Sequence, residues 1–132
     1  MLKKTNAQFA IEFVVLISFM FIIFLGFIAV ITSKVLEAKE NEIQQIAEDI
    51  AALAENEIKL AKSATDGYSR TFNLPSKISG NSYDIEIIGN RELVVNYIDR
   101  EYVTFLPENV VGNINPGENT IRKEDVVVYI NT

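Results

Sequence analysis

The chain has 132 residues, 48% of them hydrophobic and 23% charged, with a formal net charge of −6 and neither Cys nor His. Lacking both residue types, it has no disulfide, no Cys-based zinc site and no Ser-His-Asp or Cys-His catalytic set. The acidic balance argues against the basic surface that a general nucleic-acid binder needs.

The apolar residues crowd one end. Six of the eight Phe lie at positions 9, 13, 19, 21, 24 and 27. Phe13 to Ile31 has no charge and no proline, and only Ser18, Gly26 and Ala29 interrupt its large apolar side chains. A helix over these positions spans roughly 28 Å, close to the hydrocarbon thickness of a bilayer. A helix apolar all round needs surrounding protein or lipid, and about a hundred further residues are too few to enclose it. The basic residues Lys3 and Lys4 precede the run and put its N-terminal side in the cytoplasm by the positive-inside rule. No Ala-x-Ala site follows the run, which continues as Thr32-Ser33-Lys34. The expectation is therefore a retained span with the rest of the chain outside.

Glu12 sits at the edge of this run with apolar neighbours on both sides, where a carboxylate is costly and usually has a partner. Lys3-Lys4, then Gln8, Glu12 and Leu16 at spacings of four, then the apolar run, resemble the class III signal of archaeal type IV pilins and archaellins. In that family the motif reads Gln-x-Ser-x-Glu-x-x-x-Leu; here Ala10 stands at the Ser position and Ala7 at the usual Gly. The resemblance implies a leader over 1–7 that a prepilin peptidase cuts between Ala7 and Gln8. It implies that Glu12 pairs with the new amino terminus of a neighbouring subunit, so that Gln8, Glu12 and Leu16 serve assembly. It also implies a cytoplasmic assembly ATPase, a membrane platform protein and other copies of the same chain as partners.

Beyond the run no glycine occurs until Gly67 and no proline until Pro75. The periodicity predicts one helix from about residue 8 to 65, its apolar part over 8–34 and an amphipathic part over 35–66. Leu36, Ile43 and Ile50 recur every seven residues, and Ile46, Leu53 and Leu60 form a second series, with Ala47, Ala54 and Ala61 beside them. Lys39 and Glu57 break the strict repeat, so the stripe is expected to pack on a sheet or on neighbouring helices. Ile43, Ile46, Ile50 and Leu53 are the expected contact residues. Gly67 is the expected cap.

Residues 67–132 are expected to form a small antiparallel β domain, which makes the chain α+β. Alternation predicts strands at 83–87, 93–98 and 101–106 as a meander, with Asp99-Arg100 as a tight connection. Val126 to Ile130 is apolar on both faces and is expected to be central or covered. Tyr68 to Leu74 is expected as an edge strand closed by Pro75. Leu-Pro loops at 74–75 and 106–107 echo each other. The sequence shows no calcium loop, phosphate-binding loop or glycosylation acceptor. No cofactor and no enzymatic activity are expected. With the resemblance, these features imply a structural pilin of an extracellular filament serving adhesion or surface contact. A single-pass membrane-anchored binding domain that never polymerises is the alternative.

Overall fold

The computed structural model describes residues 2–132, with side chains from Lys4 onward. Met1 and the side chains of Leu2 and Lys3, part of the expected leader, lie outside the described residues. The chain is α+β: the described residues form one long helix followed by seven strands. Helix α1 (Leu2–Ser63) begins before the expected start and runs through Ala7 and Gln8. Its first residues include no glycine or proline, so nothing local stops it there. Gly67 adopts a left-handed φ of 91°, but it lies four residues past the helix end and its N–H bonds the Lys123 carbonyl, so it does not cap the helix as expected.

The chain divides into two compact units, Met1–Asn41 and Glu42–Thr132. The second joins the end of α1 to two sheets. One sheet has the order β1 (Ser69–Leu74), β6 (Gly117–Glu124), β7 (Val127–Ile130), β5 (Val110–Gly112). The other is the expected meander of β2 (Asp84–Ile88), β3 (Glu92–Tyr97) and β4 (Arg100–Phe105). β1 is an edge strand ending at Leu74, before Pro75, and β7 lies inside its sheet, both as the sequence predicts. Pairing is antiparallel except between β5 and β7, which run parallel. There Gly112 faces Ile130, and a Cβ on Gly112 would stand 1.9 Å from the Ile130 carbonyl oxygen. With a φ of +105°, that position accepts only glycine without displacing the strand.

Two turns differ from expectation by one residue. Ile98 and Asp99, and likewise Asp125 and Val126, take positive φ. Both pairs form two-residue hairpin turns, whose twist matches that of the flanking strands. Val126 therefore belongs to a turn and not to the last strand. β5 and β6 were not expected at all. β6 reads Gly-Glu-Asn-Thr-Ile-Arg-Lys-Glu, with Ile121 its only large apolar residue, and its neighbours β1 and β7 impose its conformation.

The core corrects the expected helix stripe. Ala47, Ile50, Ala51, Ala54, Ile58 and Ala61 are the buried helix residues. Of the expected contact residues Ile50 is buried and Ile43 and Ile46 pack half-buried against the core, whereas Leu53 is 39% exposed, as is Leu60 of the same series at 47%. The buried positions follow the 3.6-residue period, and Leu53 sits about a third of a turn off their line. Alanines on that line let the sheet side chains reach the helix closely. Leu93, Val95, Ile121 and Ile130 are fully buried in the same core.

Polar groups tie the ends together. Lys123 on β6 donates to the carbonyls of Lys62 and Ala64 at 2.6 and 2.7 Å, placing a cation at the helix C-terminus. Buried Asn119 bonds both the N–H and the C=O of Asn115 and accepts from Asn131 at 2.8 Å. Asn131 in turn donates to the Asn113 carbonyl, while the Asn113 side chain accepts from the Ile87 N–H of the other sheet. These amides satisfy backbone groups that the strand ladders leave over.

The Tyr83 hydroxyl donates to the Pro75 carbonyl, and burial pushes its pKa up to about 12 from 10.0. The unfolded chain therefore ionises first. The stability that neutral Tyr83 contributes is complete below about pH 10 and is lost as pH rises towards about 12. In urea unfolding across this range, the wild type should lose stability more steeply than Tyr83→Phe, and an absorbance titration should show one tyrosine ionising late. Core truncation should separate the two sides of the helix. Ile58→Ala should cost about 2–5 kcal/mol in the same urea assay, and Leu53→Ala about 1 kcal/mol or less.

Candidate functional site

Each large apolar residue from Phe9 to Ile31 is between 45% and 68% exposed. The helix is long and apolar enough to cross a membrane, and its most apolar stretch is not buried inside the protein at all. The sixteen large side chains of the 19-residue run Phe13–Ile31 (19 less Ser18, Gly26 and Ala29) would each cost about 1.5 kcal/mol or more in water. That sum, ~24 kcal/mol, exceeds the roughly 5–15 kcal/mol by which an ordinary domain is stable. This surface is therefore the functional feature that needs an explanation.

The hydroxyl side chains within the run and at its end turn back onto the helix. The Ser18 hydroxyl donates to the Val14 carbonyl at 2.7 Å, and the Thr32 hydroxyl to the Ile28 carbonyl at 2.9 Å. Both bonds spare the surroundings an unsatisfied hydroxyl. Glu12 is the only charge between Lys4 and Lys34. It accepts a hydrogen bond from Gln8 Nε2 at 3.2 Å. Ile11, Val15, Leu16 and Phe19 border it with apolar surface.

The expected assembly residues Gln8, Glu12 and Leu16 thus fall on one face, four residues apart, with Gln8 and Glu12 in contact. Ala7, the residue before the expected cut, is an exposed helix residue adjoining Gln8. The Glu12 carboxylate keeps acceptor capacity beyond the Gln8 bond, enough to receive a charged donor. Among the described residues no three His, Cys, Asp or Glu side chains gather as a metal ion requires. The sequence pattern found these residues; it gave no sign that Lys123 would hold the helix end.

No protein-family model, curated protein or solved structure matches the chain.

The two units should be separable in solvent requirement. A chain lacking residues 1–34 should stay folded and monomeric in detergent-free buffer, whereas the full chain should need detergent. Size-exclusion chromatography with circular dichroism checks both, and aggregation of the shortened chain would show that its core depends on the removed residues.

Proposed function

We propose that this chain is a pilin, a structural subunit whose apolar helix exchanges lipid for the helices of other copies when a surface filament assembles. The observation that carries this reading is the exposed apolar face headed by Gln8, Glu12 and Leu16. In this reading residues 1–7 are a leader, and a prepilin peptidase cuts between Ala7 and Gln8. Removing them leaves 125 residues (132 minus 7) and takes away Lys3 and Lys4. A positive amino terminus then stands four residues from Glu12. An assembly ATPase and a membrane platform drive the transfer from bilayer to filament. The filament then serves adhesion or contact with a surface.

Glu12 supplies register. At the membrane edge its charge costs less than the ~2.5–3.5 kcal/mol of a charge at the bilayer centre. In a filament core it is drier, so a positive partner matters more. Lys34 of the same helix is roughly 33 Å away and cannot serve. The amino terminus of an adjacent subunit can.

Mass spectrometry of native material should find Gln8 as the first residue. Glu12→Ala and Glu12→Gln should insert and be cut normally, yet lower the filament yield seen by electron microscopy at least tenfold. Retention of residues 1–7 in assembled material would defeat the cleavage claim. Normal yield from both variants would remove Glu12 from assembly. A correctly inserted chain that forms no filament at all would favour the membrane-anchored binding domain, a reading that the self-contained core of Glu42–Thr132 also suits.

A further inference from the structure

The meander β2-β3-β4 has one face in the core and one outside. Ile85 faces Val95 and Tyr102 on the inner side, where Ile85 and Val95 are buried. The alternate residues face outward in three cross-strand rows. The first row is Asp84, Asn96 and Glu101. The second is Glu86, Val94 and Val103, and the third is Ile88, Glu92 and Phe105.

An ordinary solvated strand face interleaves both signs of charge and keeps large apolar groups few. This face does neither. Phe105 is 67% exposed, with Ile88 and Val103 exposed beside it, while Val94 at the centre of the face is buried beneath its neighbours' side chains. Its four carboxylates have no Lys or Arg in any row, and none of them takes part in an ion pair of the described residues. β4 borders the face and pairs with a strand on one side only. It carries no proline, and its charged residues Arg100 and Glu101 stand at its start, which leaves the stretch from Val103 to Phe105 without the charges that usually blunt a strand edge. An open strand edge offers a row of main-chain donors and acceptors, which only another polypeptide matches. Charge complementarity then fixes the sign of that polypeptide.

We propose that the outer face and β4 edge of this meander dock an extended basic polypeptide, which adds a strand beside β4, sets its cations against the acidic rim and lays apolar side chains on Val103 and Phe105. Outward positions of the added strand neighbour Glu101, Val103 and Phe105 in turn, so the fitting pattern alternates, with a cation opposite Glu101 and apolar residues opposite the other two. The docking requires no polymerisation and stands apart from the role of the apolar helix.

The test uses the full chain in nonionic detergent micelles. The probe is a short synthetic peptide alternating threonine with lysine, valine, leucine and lysine; its twin carries glutamate for lysine. Titration calorimetry, corrected with empty micelles, should show binding of the lysine peptide that weakens as salt is raised, and at least tenfold weaker binding of the twin. Glu92→Gln combined with Glu101→Gln should weaken binding up to about fivefold per carboxylate. Phe105→Ser should weaken it comparably. Glu42→Gln combined with Asp49→Asn, exposed carboxylates on the helix, should leave it unchanged. Circular dichroism should be unaltered in every variant, since the changed side chains lie outside the core. Absence of binding would overturn the proposal. So would equal affinity for both peptides, or an equal effect of the helix pair, since either would show unspecific attraction.

Discussion

One helix has to satisfy two surroundings, and everything else in this protein follows from that constraint. From Phe13 to Ile31 its side chains are apolar on all sides, and every large one of them is exposed. From Ala47 to Ala61 only one line of side chains is covered. The backbone does not change between the two; the helix is unbroken from Leu2 to Ser63. The difference lies wholly in side-chain chemistry, so the first part must find its partners outside the chain while the second finds them among its own strands. Short polar side chains in the first part bond back to the backbone, which leaves Glu12 as the one charge inside that surface. In the filament we propose, a lone carboxylate there would mark the register: apolar helix faces slide past each other at little cost, whereas a charge in a dry interface tolerates few positions.

The second unit solves the packing of a helix on two small sheets by using small residues. Four alanines lie on the buried line of the helix with Ile50 and Ile58. Bulk comes from the sheets, through Phe72, Leu93, Tyr97 and Ile130 among others. The leucines of the helix are displaced to a flank. Lys123 then holds the helix end, and the linked amides of Asn113, Asn119 and Asn131 hold the C-terminus and link to β2. A buried amide without partners would be costly, so this network is favourable only because each member is bonded. The same accounting explains why the outer face of the meander stands out. Its carboxylates and its phenylalanine have no partner of their own in the rows that hold them.

What the sequence determined by itself was whatever local chemistry decides. The apolar run, the unbroken helix, the meander of alternating strands and the Gln8-Glu12 face were legible because side-chain period and the absence of Gly and Pro act within a few residues. The tertiary structure alone decided which of two adjacent apolar series the sheets would cover. Heptad spacing marks Ile46, Leu53 and Leu60 as readily as it marks Ile43 and Ile50, but close approach of a sheet favours the line that carries the alanines. It also decided that polar β6 is a strand and that β5 joins in parallel beside Gly112. Those states depend on partners distant in the chain, since Arg122 pairs with Ser69 and Tyr129, and Gly112 with Ile130. A strand made by its neighbours leaves no periodic trace in its own residues.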